Sequence, residues 1–194
     1  PVYLEASDGH SAWVNSKALS LAGLTKAASD PPNGRIERES SGEPSGVLRE
    51  DAMELVSRLL PGYTLAESTA GLRRALDMAA RFGITTLHEA AADEAMLAAY
   101  AELDRRGVLS ARVNASFELR PSSGVSGARA LPGLRRRYQG SLLRLTGAKV
   151  FADGVLEART AALLEPYADR GGLGTAGWDP WELADTAVAL DRGG

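Results

Sequence analysis

From Thr64 onward the sequence alternates between a helical period and short apolar runs, and this alternation limits the available folds more than any other feature. Thr64-Leu-Ala-Glu67 fits a capping box. Leu65, Thr69, Leu72, Leu76, Ala79 and Phe82 then recur at helical spacing until Gly83. Ile84-Thr-Thr-Leu87 reads as a short β-branched strand with His88-Glu89 at its end. Asp93 is placed to cap a helix with Met96, Leu97, Tyr100 and Leu103 on its inner face, ended by Gly107. Arg112 to Leu119 reads as a second strand, Ser122 to Gly127 as a flexible loop, and Ala128 to Tyr138 as a basic helix interrupted at Pro132-Gly133. Leu143 to Ala152 is a third, buried strand. Asp179-Pro180-Trp181-Glu182 starts a last helix, with aspartate at the cap and proline in the first turn. Strand starts near 84, 112 and 145 suit βα units and a parallel sheet. Three strands do not close a barrel of eight. The piece is therefore a small open α/β sheet or a slice of a barrel. A start at Pro1 and a stop at Gly194 read as cut ends and favour the slice.

Residues 1 to about 60 have a different texture. Val2-Tyr3-Leu4 and Ser11-Ala-Trp-Val14 are short strand candidates around the turn Ser7-Asp8-Gly9-His10. Asn15-Ser16 caps a short helix through Leu21. Arg35 to Arg38 and Gly46 to Arg49 flank the turn-rich Ser40 to Ser45 as an irregular hairpin, and Glu50 to Leu60 reads as a helix ended by Pro61-Gly62. The block reads as a small α+β unit with antiparallel strands and with Trp13 in its core.

The net charge of -3 offers no basic footprint for nucleic acid. No apolar run is long enough to span a membrane. With no cysteine, disulfides and thiolate zinc sites are excluded. The only histidines are His10 and His88, too few for a self-contained His-rich metal site. The expected compartment is the cytoplasm, although a chain that starts at Pro1 carries no information about a leader.

One residue is out of place in the third strand. Lys149 lies in the apolar run that Asp153-Gly154 closes. A buried lysine must pair its charge, lose it or be modified, and α/β barrels carry functional side chains at the C-terminal ends of their strands. Two readings stand for Lys149: a site residue, or a lysine that snorkels to water or pairs with a structural carboxylate.

These stretches share a pattern. Asp8-Gly-His-Ser-Ala-Trp-Val-Asn-Ser-Lys-Ala-Leu19, Gly34-Arg-Ile36, Gly42-Glu-Pro-Ser-Gly-Val-Leu-Arg-Glu50, Gly83-Ile-Thr-Thr-Leu-His-Glu-Ala90, Lys149-Val-Phe-Ala-Asp-Gly154, Arg159-Thr-Ala-Ala-Leu163 and Glu165-Pro-Tyr167 resemble the amidohydrolase 3 family, the YtcJ-like metal-dependent hydrolases. The resemblance implies an α/β fold: part of a (β/α)8 barrel over residues 61–194, with a small inserted α+β domain over 1–60. It implies hydrolysis of amide or formamide-like C–N bonds of a small molecule by metal-activated water. The implied cofactor is a divalent metal, expected to be zinc, one or two ions. It points to Lys149 as a lysine carboxylated to bridge two metals, with the histidine ligands on strands outside this stretch. Val155-Leu-Glu-Ala158 departs from the small Ser-Leu-Gly-Ser-like turn common in relatives. The alternative is a non-catalytic α/β binding or interaction module descended from such enzymes.

Four more residues are candidates beside Lys149, the metal residue. Asp153 and His88 are the catalytic pair: Asp153 orients a ligand or bonds its own loop, and His88 touches substrate or supports a residue that does. His10 and Arg159 are the substrate-binding pair: His10 is a pocket residue or a solvated turn histidine, and Arg159 anchors an anion or braces its loop, bonded to carbonyls or to Asp153. Arg135-Arg-Arg137 reads as a solvated helix face. The expected partner is a small amide-type substrate, with no nucleic acid and no membrane. Uncovered sheet edges make a homo-oligomer an expectation.

Overall fold

The computed structural model describes every residue except Ala158 and Arg170. The chain forms two compact units, Pro1–Pro61 with Ala152–Gly177, and Gly62–Phe151 with Trp178–Gly194. The segment 152–177, grouped by the sequence reading with the second part, thus belongs to the first unit.

In the first unit, β1 (Tyr3–Glu5), β2 (Ser11–Val14), β3 (Gly34–Arg38) and β4 (Pro44–Glu50) form one antiparallel sheet in the order β1-β2-β4-β3. Helix α1 (Ser16–Leu21) is capped by Asn15, whose side chain accepts from Ala18 N. Alternation along β2 turns Ala12 and Val14 inward, into a core with Ile36, Leu48, Ala52 and Val56. The same alternation turns Trp13 outward. Its 63% exposure corrects the expectation that it is core. The helix expected over 50–60 is also shorter: a 3-10 turn, Asp51–Met53, followed by α2 (Glu54–Ser57). The cause is local, because Glu50 leaves β4 at φ 48°, outside helical backbone.

In the second unit, β5 (Thr86–Ala92), β6 (Arg112–Leu119) and β7 (Leu143–Val150) form a parallel sheet in chain order. The strands alternate with α3 (Leu65–Arg81), α4 (Glu94–Arg105) and α5 (Gly124–Tyr138), and α6 (Pro180–Gly193) packs on α5. The third strand stops at Val150 rather than Ala152, and Phe151 is exposed. Helix α5 starts inside the expected loop and runs through Pro132 without a break. Burial of Ala128, Leu131 and Tyr138 holds it, outweighing the hydrogen bond that proline forfeits. Val113, Ala115, Leu143 and Leu145 form the helix-covered face of the sheet with Leu97, Leu103 and Leu131.

The local signals act as read. Thr64 accepts from Glu67 N while the Glu67 carboxylate accepts from Thr64 N, a complete capping box. Those bonds hold the Glu67 carboxyl below its ordinary range. Thr64→Ala is expected to cost about 1 kcal/mol of stability, read by denaturant unfolding. Among the described residues no helix is long and apolar enough to cross a membrane.

Candidate functional site

The uncovered face of the parallel sheet is polar. Alternation within β5 and β6 turns Thr86, His88, Asn114, Ser116 and Glu118 away from the helices, because Val113, Ala115 and Leu119 take the buried positions. On β7, Lys149 pairs in register with Glu118, and Gly147 with Ser116. His88 Nε2 lies 3.2 Å from Ser116 Oγ. Lys149 is partly buried, and its ammonium lies 4.6 Å from the centroid of the Phe151 ring, a cation–π contact. Glu118 and Lys149 stand near the C-terminal ends of β6 and β7, where α/β folds place ligands. His88 does not close its strand as expected, because β5 runs on to Ala92 and leaves it in the first half of the strand. Glu89 belongs to the opposite face. Tyr100 Oη donates to Glu89 Oε2 at 3.4 Å, and burial, reinforced by that carboxylate, pushes the Tyr100 phenol up to about 12. Glu89 therefore supports α4 rather than lying beside His88.

The other three candidates lie in the first unit. His10 is not a solvated turn residue: its Nδ1 is 3.1 Å from both carboxylate oxygens of Glu50. A carboxylate only accepts, so Nδ1 is the donor of this pair and Nε2 is the ring nitrogen turned away from it. Asp153 bonds its own loop. It accepts from Ala162 N at 3.0 Å and bridges to Ala176. Arg159 braces the same loop through Asp169, donating from Nε at 3.0 Å and from Nη2, rather than through Asp153. The Asp169 contact raises the Arg159 guanidinium further above its ordinary value. Ala158, the last residue of the departure from the expected turn, lies outside the described residues.

The sequence profile of the Amidohydrolase family matches residues 1–194, the whole chain. The chain belongs to the amidohydrolase family. Among its relatives, Protein LONG AFTER FAR-RED 3 of Arabidopsis thaliana is 31% identical over 207 residues, covering 100% of this chain and 35% of that protein. The putative amidohydrolase YtcJ of Bacillus subtilis strain 168 is 29% identical over 179 residues, covering 87% of this chain and 32% of that protein. A solved structure, an uncharacterized metal-dependent hydrolase from Pyrococcus horikoshii OT3, superposes on 100% of this chain and 37% of its own with a TM-score of 0.69 and 25% identity. This amidohydrolase chain thus spans about a third of the length of the curated relatives it matches.

Ser116, Glu118 and Glu50 were not singled out by the sequence reading. The first two had a signal: the polar alternate positions Asn114, Ser116 and Glu118 run along one side of an otherwise apolar strand. Glu50 had none, because its partners lie 40 and 110 residues away.

Proposed function

We propose that this chain is part of a metal-dependent amidohydrolase that cleaves amide or formamide-like C–N bonds of small molecules, with its three parallel strands as one arc of a (β/α)8 barrel. The observation that carries the reading is the polar sheet face that runs His88, Ser116, Glu118 and Lys149 toward the strand ends. A parallel sheet covered by helices on both sides is apolar on both. A polar inner face suits a barrel whose strand ends line a site.

Among the described residues no three His, Asp or Glu side chains group as a metal ion requires. The described residues by themselves therefore do not fit a complete metal site. On this reading Lys149, as its carbamate, would be the one ligand the chain contributes, with His88 and Ser116 further down the same polar face as contacts for substrate. The remaining ligands would come from other parts of the whole protein; the curated relatives are about three times as long as this chain. Zinc is the divalent ion proposed; when bound it supplies Lewis acidity.

The test is hydrolysis of a panel of N-formyl and N-acyl amines by the whole protein, before and after chelation and after zinc is restored. The expected result is turnover lost with the metal and regained with it, and no turnover by residues 1–194 alone. Full turnover in rigorously metal-free protein contradicts the reading. Specific binding of such compounds without hydrolysis in any metal state favours a binding module instead.

A further inference from the structure

Glu50 combines two features that together require an explanation. Its backbone sits at φ 48° and ψ −130°. Side chains with a Cβ rarely adopt that region, and it costs of order 1–3 kcal/mol unless surrounding contacts enforce it. Its partly buried carboxylate is also the meeting point of three segments of the first unit. His10 Nδ1 donates to both of its oxygens at 3.1 Å. Thr160 Oγ1 donates to Oε1 at 2.5 Å. The Thr160 oxygen in turn accepts from Val155 N at 3.0 Å. Glu50 N also donates to the His10 carbonyl at 3.2 Å, so backbone and side chain grip the same turn.

The neighbouring glycine shows how close the approach is. A Cβ built on Gly154 would overlap the Thr160 side chain and crowd Glu50 Oε1. Only glycine lets the segment after Asp153 lie this near the carboxylate. A single charged acceptor therefore orients a histidine and fixes the loop carrying Asp153 and Arg159. Charge-assisted bonds of this kind are about twice as strong as neutral ones.

We infer that Glu50 is a positioning residue that holds the His10 imidazole together with Thr160 and Val155 in one arrangement, so that His10 Nε2 and these two residues form a substrate-recognition surface. This rests on the hydrolase reading above only for its kinetic readout. Ring orientation and loop order are measurable without turnover.

The experiment uses Glu50→Gln, Thr160→Val, Thr160→Ser and the Glu50→Gln/Thr160→Val pair in the whole metal-loaded protein. Amide hydrogen exchange at Val155 and the NMR tautomer of His10 are read beside kcat, KM and metal content. Loss of the hydroxyl or the charge is expected to speed Val155 exchange about 5- to 10-fold. Glu50→Gln is expected to shift the His10 tautomer population. Both variants are expected to lower kcat/KM about 10- to 100-fold with metal content unchanged, the size of a small misplacement of substrate. Thr160→Ser restores exchange and kinetics, and the double variant is no worse than Glu50→Gln, because the two residues act as one unit. Unchanged exchange and an unchanged tautomer in Glu50→Gln overturn the inference, as do strictly additive effects in the pair. Faster exchange and a shifted tautomer in a protein that hydrolyses no amide refute the hydrolase reading and leave the positioning role standing.

Discussion

Replacing Lys149 by alanine in the whole protein is expected to lower amide turnover about 10³-fold or more, equivalent to roughly 4 kcal/mol of transition-state stabilisation. The size follows from the role proposed for it. Lys149 stands one residue before the end of β7, in register with Glu118, on the face that carries His88 and Ser116. Its four-carbon stem leads the amine to the strand ends, and its contact is the face of the Phe151 ring rather than Glu89. A lysine kept for structure would be expected to hold a carboxylate. The fold should respond far less. Val113, Leu143 and Leu145 make the core on the other face, so unfolding free energy is expected to change by no more than about 1 kcal/mol. Near-normal turnover in Lys149→Ala, with the protein folded, removes Lys149 from the chemistry.

The largest expected loss of stability comes from Asp104→Ala, about 3 kcal/mol, because it leaves several donors without an acceptor. Asp104 is 9% exposed at the end of α4. It accepts from Ser141 Oγ at 2.7 Å, Leu142 N at 3.1 Å and Leu143 N at 3.1 Å. The carboxylate thus ties the last turn of α4 to the first residue of β7 and fixes the strand on which Lys149 lies. Gly140 is part of the arrangement, since a Cβ there would overlap the carboxylate. Burial pushes the Asp104 carboxyl up, but the bonds from Ser141, Leu143 and Leu142 outweigh it and hold it below its ordinary value. A depressed carboxyl contributes its stability above the unfolded-state value, near 4, and loses it as pH falls through the lower folded value. The difference in unfolding free energy between the parent chain and Asp104→Ala should therefore be full at neutral pH and shrink only in acid below about pH 4. A difference that stays constant down to strong acid contradicts the assignment.

The parallel sheet was legible because its signals are local. Thr64, Asp93 and Asp179 each cap the helix expected of them, and their side chains bond the first-turn amides. Those caps bracket the strands to within a few residues. The antiparallel hairpin of β3 and β4 was legible from its turn chemistry. What escaped depended on distant partners or on face. Trp13 was read as core from its size, whereas the phase set by Ala12 and Val14 decides its side of β2. Glu89 and His88 were read together because they adjoin in sequence, yet alternation sends them to opposite faces of β5. The membership of 152–177 in the first unit rests on contacts such as Thr160 to Glu50, which no window of sequence contains. The place of Lys149 near the end of β7 was legible, whereas His88 was read as closing a strand that in fact runs on to Ala92. The partners of the histidines, Glu50 for His10 and Ser116 for His88, were not legible.

The most direct test of the account is the metal content of the whole protein against that of its Lys149→Ala variant, both loaded with zinc, freed of excess and analysed by elemental spectrometry. The account predicts bound zinc in the parent and substantially less in the variant, with both proteins folded. Equal zinc in the two would contradict it and place the metal site on residues other than Lys149.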